Sequence, residues 1–204
     1  MAKVNAPLFS FGASGSIGNA LTYFPWKGLN AVRTWVKPAN PDTLAQSTQR
    51  GYMTTTVSTI HAAQALAVSP INALDVAAYA LEAATEATPR TWFNQVCAQC
   101  LPALKAAKQI VVFRGATVTP GVDSIVVVLK WTKTGANDVT AGNYIYGLTK
   151  TSMINTVAAV IAASAATGTI IGLTTGVKYF CQFVPTVHVD YSMNKSGIYF
   201  GVAG

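Results

Sequence analysis

The sequence is short of charge. Asp, Glu, Lys and Arg make up 10% of its 204 residues, against about 25% in an ordinary soluble domain. A lone subunit stays in solution by keeping a charged, patch-free surface. The shortage therefore predicts a surface largely covered by other subunits; a secreted β protein rich in Thr, Ser and Asn is the alternative. Acids are scarcer still: 7 against 14 bases, for a net charge of +7. None precedes Asp42, whereas Lys3, Lys27, Arg33 and Lys37 all do. That imbalance points to contact with an acidic protein surface, or weakly with phosphate, unless the segment is simply solvated. The bases never run together, which argues against a dedicated nucleic-acid tract.

Other absences narrow the chemistry. Three cysteines, an odd number, do not make a disulfide framework. Cys97 and Cys100 have redox or half-zinc-site spacing, but no second pair exists, and neither His61 nor His188 stands at ligand spacing. Both cysteines fall on an apolar helical stripe, so they read as core thiols. The two histidines have no nucleophile or carboxylate constellation around them, which leaves no credible catalytic set. Glu82 and Glu86, four residues apart on a predicted helix, read as a solvated face. The Ala-rich run Asn155–Ala166 is too short and interrupted to span a membrane. Met1-Ala-Lys-Val-Asn-Ala-Pro7 has no apolar leader core, so synthesis in the cytosol is expected.

What is present is organised around Lys27–Arg50, a basic, aromatic segment that turns at Pro38-Ala-Asn40-Pro41 and launches a polar helix. Asn40 suits an N-cap and Pro41 a first helical position. Before it, Gly12, Gly15 and Gly18 recur without the strand or the Gly-Lys-Ser/Thr that a phosphate loop needs. The segment therefore reads as an extended arm, whose Phe9, Phe11, Tyr23, Phe24 and Trp26 seek burial against a neighbour. After it, Asn40-Pro41, Ser69-Pro70 and Thr88-Pro89 predict helices over about 41–67, 70–84 and 89–108, with Pro102 kinking or ending the third.

Beyond residue 110, β-branched runs replace helical periodicity. Ile110–Phe113, Ser124–Trp131, Gly142–Tyr146 and Val177–Val187 read as strands separated by Gly, Pro and Asn-Asp turns. Met153–Ile171 has helical composition where the topology wants strands. Leu173-Thr-Thr-Gly-Val-Lys-Tyr179 resembles the corner of fibronectin type III domains, where a Leu precedes a turn and a Tyr locks the next strand. Trp131 would then be the core tryptophan of an early strand. The expected fold is α+β: an arm and turn over 1–40, helices over 41–109, and an antiparallel immunoglobulin- or fibronectin III-like sandwich over 110–204.

The whole chain resembles a loosely defined group of bacteriophage and prophage proteins. They join a Gly-rich arm to a Lys-Gly…Arg…Pro-x-Asn-Pro-x-Thr-x-x-Gln-x-x-x-Arg block, short helices, a Phe-Asn pair and an immunoglobulin-like sandwich. Here the block is Lys27-Gly28, Arg33, Pro38, Asn40-Pro41, Thr43, Gln46 and Arg50, the pair is Phe93-Asn94, and a middle-helix aromatic falls at Tyr79. The resemblance implies a non-enzymatic virion component without a cofactor or metal, made in the host cytoplasm. Its partners would be copies of itself and other virion proteins, with no specific nucleic-acid site and no membrane. Capsid decoration is the leading expectation. A tail or fibre component, or a module binding carbohydrate or a host surface, is the alternative.

Overall fold

The computed structural model describes residues 2–3, 14–37, 39, 42–186 and 194–204. It divides into two compact units, Met1–Thr43 and Leu44–Gly204.

The first unit is a sheet where the sequence suggests an aperiodic arm. Its strands are β1 (Ala2–Lys3), β2 (Gly15–Ile17), β3 (Leu21–Trp26) and β4 (Leu29–Thr34), antiparallel in the order β1-β4-β3-β2. Lys27-Gly28 closes the β3–β4 hairpin between the paired Trp26 and Leu29. Both turn residues have positive φ, 49° and 78°, the left-handed pair that a two-residue type I′ turn requires. Pro25 hides β3 from sequence reading, because proline demotes a strand. It is accommodated since β2 reaches only to Tyr23, so among the described residues β3 has a single neighbour at Pro25. Among the described residues of this unit only Ala31 is buried.

The second unit opens with helices α1 (Leu44–Gln64), α2 (Ala73–Ala83) and α3 (Trp92–Lys105). Each begins three residues after its expected proline start. For α2 and α3 the caps explain the offset. Asn72 accepts from the Asp75 N–H at 2.9 Å while its own N–H donates to the Asp75 carboxylate at 3.0 Å, a reciprocal capping box. Thr91 caps α3 through the Asn94 N–H. Pro70 and Pro89 therefore lie on the approach to each helix. The expected roles of Asn40 and Pro41, like that of Pro38, fall outside the described residues. Pro102 does not end α3, which continues to Lys105; in the last turn a missing N–H removes one ladder bond only. The β-branched run in α1 is tolerated because Thr54, Thr56 and Thr59 hydroxyls donate to carbonyls four residues back.

Among the described residues, eight strands follow in two antiparallel four-stranded sheets, the architecture of a β-sandwich. One has the order β5-β6-β10-β9, with β5 Val111–Gly121, β6 Ser124–Lys133, β9 Val160–Ala162 and β10 Ala165–Ile171. The other has the order β12-β11-β7-β8, with β7 Gly142–Gly147, β8 Asn155–Ala158, β11 Lys178–Pro185 and β12 Tyr199–Val202. The ambiguous stretch 153–171 thus carries β8, β9 and β10 and no helix. Period-2 alternation in the Ile110–Phe113 run feeds two cores. Val111 and Phe113 join the sandwich core with Trp131, Tyr144, Phe183 and Ile125. Ile110 and Val112 join Ile60, Tyr79, Val96, Cys97 and Cys100 under the helices. Helices and sandwich therefore form one compact unit.

Two glycines mark close approaches. A Cβ on Gly168 would come within 2.2 Å of the Tyr144 ring, whose hydroxyl reaches across the sandwich to the Ala166 carbonyl at 2.8 Å. A Cβ on Gly197 would lie 2.6 Å from the backbone of α2 at Ala78 and Tyr79, where Ile198 N–H donates to the Ala78 carbonyl.

Candidate functional site

The buried face of α2 carries two acids, Asp75 and Glu82, beside Ala78, Tyr79 and Ala83. Their environments give them different work. Between Arg114 and Thr117 the β5–β6 register slips, and a bulge frees backbone donors that need partners. Asp75 takes them: its carboxylate accepts from Gly115 N–H at 2.7 Å and Ala116 N–H at 3.2 Å, as well as from the Tyr199 hydroxyl at 2.9 Å. With the Asn72 N–H added, Asp75 is fully engaged in joining helix to sandwich. Tyr79 supports the same joint through the Phe113 carbonyl and N–H.

Glu82 is the chemically available acid. It is only 7% exposed, which corrects the expectation of a solvated Glu82–Glu86 face; only Glu86 is exposed. Its partners are amides. Gln99 Nε2 donates to both carboxylate oxygens at 2.9 Å, and Gln182 Nε2 to Oε1 at 3.0 Å. Burial pushes its carboxyl up to about 7, against the pull of the Gln182 bond, the Lys195 charge and the Gln99 bond. Outside it lies a cleft of about 330 Å³ bounded by Glu86, Gln95, Gln99, Asn194 and Lys195. Gln95 Oε1 and Asn194 Oδ1 are buried and accept no hydrogen bond among the described residues. Leaving a buried acceptor unmet costs about 1–3 kcal/mol. Asn194 is oriented by its own amide, which donates to the Val111 carbonyl at 3.0 Å. The cleft is thus lined mainly by polar side chains drawn from α2, α3 and the segment leading to β12.

The block residues are distributed differently. Lys27 and Gly28 form the hairpin turn. Arg33 on β4 lies over the Phe24 ring, 5.5 Å from guanidinium carbon to centroid. Thr43 precedes α1, and Gln46 and Arg50 lie on its first two turns. Every described residue from Leu44 to Thr54 except Tyr52 is exposed. Gln46 and Arg50 border a shallow apolar groove with Met53 and Leu101. In the sandwich, Trp131 is buried and its indole N–H donates to Asp138 at 2.6 Å. Leu173 is buried, and the Tyr179 hydroxyl accepts from the Thr174 N–H at 3.1 Å.

Sequence reading missed Glu82, Gln95, Gln99, Gln182 and Asn194 as one cluster. The available signal was local: Glu82 interrupts the apolar stripe of α2, and Gln95 and Gln99 stand one turn apart on α3. Cys97, Cys100 and Cys181 are buried free thiols; burial pushes Cys100 and Cys181 up to about 12. Among the described residues no three His, Cys, Asp or Glu side chains converge as a metal site, and no helix is long and apolar enough to cross a membrane. Comparison with protein-family models, curated proteins and solved structures finds no match to this chain.

Proposed function

We propose that this is a non-enzymatic structural protein that works by assembling with copies of itself, as a repeated component of a phage-like particle. One observation carries the reading. The first unit presents Ile17, Leu21, Trp26 and Leu29 to solvent, with Trp26 55% and Leu29 47% exposed, and buries only Ala31 among its described residues. A sheet needs an apolar face packed against something to be stable. Ile17 pairs with Leu21 on one face and Trp26 with Leu29 on the other, so each face exposes an apolar pair, and exposed apolar surface marks interaction sites. The acid-free composition before Asp42, the low overall charge and the likeness to phage proteins support the same assignment. Capsid decoration fits best, because repetition on a symmetric shell turns modest contacts into strong avidity. A tail or fibre role needs the same surface.

The sandwich reads as immunoglobulin-like of the fibronectin III kind. In support, its sheet orders can be laid on strands A-B-E-D and G-F-C-C′ of immunoglobulin-like sandwiches. The Tyr179–Thr174 bond sits at the start of the strand corresponding to F, where a tyrosine corner belongs. Electron microscopy of the purified chain tests the functional reading: regular rings, tubes or shells are expected, and a field of isolated small particles at every concentration would overturn it.

A further inference from the structure

We infer that β8 is the strand through which the sandwich pairs, antiparallel, with the same strand of a second copy. Each sheet has two edges: β5 and β9 in one, β12 and β8 in the other. The β5 and β12 edges lie against α2. Asp75 accepts from the Gly115 and Ala116 N–H groups of β5, and Asn72 donates to the Ala116 carbonyl at 3.0 Å. Just before β12, the Ile198 N–H donates to the Ala78 carbonyl. The other two edges are bare. Among the described residues β8 pairs only with β7 and β9 only with β10, and Asn155, Thr156, Ala158, Val160 and Ala162 are exposed. Ala159 alone separates β8 from β9, so residues 155–162 form one continuous rim. Along such a rim alternate backbone N–H and C=O groups have no partner strand.

Charge, proline, bulges or a covering segment keep natural edges from pairing. Among the described residues this rim carries none of these. Between Lys150 and Lys178 the sequence holds no Asp, Glu, Lys or Arg, the longest such interval in the chain, and no proline. The ladders of β8 with β7 and of β9 with β10 run without a register shift. Ile154 and Val160, which flank β8, are 83% and 70% exposed. The occupant is a second copy for an electrostatic reason. The chain carries a net charge of +7, so copies repel wherever their bases face each other. A two-fold axis sets β8 against itself, and an uncharged strand meets no like charge there. β8 has four residues, whose few hydrogen bonds do not by themselves offset the freedom lost on association. The pairing therefore rests on the assembly proposed above: copies already held through the first unit meet at a raised effective concentration, and the edges close.

The experiment is disulfide trapping in the full chain. In an antiparallel pair about a two-fold axis, the residue on the axis stands opposite its own copy, about 5 Å away between Cα atoms and within disulfide reach. Four single variants, Asn155→Cys, Thr156→Cys, Val157→Cys and Ala158→Cys, scan β8 under oxidised glutathione. Thr119→Cys, at an exposed position of β5, is the control. Cys97, Cys100 and Cys181 are buried and stay reduced. Light scattering gives the assembled mass of each variant before oxidation. Covalent dimers are expected at one of the four positions at least ~10-fold faster than in the control, in line with the raised local concentration of a paired thiol. An assembled mass with no position faster than Thr119→Cys overturns the pairing, the edge then being bare or covered by another segment, and leaves the assembly reading standing. A chain that stays at the single-chain mass at every concentration overturns both.

Discussion

Glu82→Gln should convert a pH-dependent stability into a flatter one. The Glu82 carboxyl rises from 4.5 in the unfolded chain to about 7 in the fold, chiefly because burial disfavours its charge. Between those values the folded state holds a proton that the unfolded state has released, so stability must fall as pH rises. The contribution is fully present below pH 4.5 and is lost as pH rises through 7. Each pH unit over which the two states differ by one proton is worth about 1.4 kcal/mol. The wild type therefore loses about 3 kcal/mol from this group between pH 4.5 and 8, relative to a variant with no proton to lose. Gln182, held by the Ser196 carbonyl, can still donate to the oxygen of a glutamine, and Gln99 can turn its amide to accept from the new N–H, so the variant keeps its packing. The assay is urea unfolding of both proteins across that range. Their stability difference should shift by about 3 kcal/mol in favour of Glu82→Gln as pH rises. A constant difference would mean that Glu82 is an ordinary solvated carboxylate and that the buried-cleft account is wrong.

Asp75→Ala strands the Gly115 and Ala116 N–H groups and the Tyr199 hydroxyl, and should cost about 3–5 kcal/mol in urea unfolding; a loss below 1 kcal/mol would contradict its role as the helix–sandwich joint. Gly197→Ala drives a methyl into the α2 backbone, which cannot yield as a flexible side chain would. It should lower stability by roughly 2 kcal/mol or more, whereas Gly172→Ala, where a Cβ meets nothing within 4 Å but φ is +73°, should cost only about 1 kcal/mol. The three thiols should resist alkylation in the native protein and react fully in denaturant; rapid native labelling of Cys100 or Cys181 would contradict their burial.

The fold was legible where periodicity was strong. The runs at Ile110–Phe113 and Ser124–Trp131 are strands because apolar β-branched residues flanked by turns leave little else. The double duty of β5 was not legible, because an unbroken apolar run looks the same whether one core lies beside it or two. Helix starts were misplaced by three residues because Asn72 and Thr91, short polar residues that bond the first-turn N–H groups, outweigh the fixed φ of the prolines before them. Glu82 was misread because the i, i+4 spacing to Glu86 suggested a shared face, whereas Gln182 of β11 and Gln99 of α3 enclose one acid and leave the other outside. The sheet of Gly15–Thr34 was invisible because its turn, Lys27-Gly28, lacks the Asn-Gly or Asp-Gly signal and its middle strand contains Pro25.

The central claim is that the face of the first unit's sheet that exposes the paired Trp26 and Leu29 is an assembly surface. Its most direct test is the mass in solution, by light scattering, of the full chain and of the double variant Trp26→Lys, Leu29→Lys. The account predicts a wild-type mass several times the 21.4 kDa of one chain. It also predicts a variant that falls to the single-chain mass with its unfolding transition unmoved. A wild type that remains at the single-chain mass, or a double variant that assembles as fully as the wild type, would contradict it.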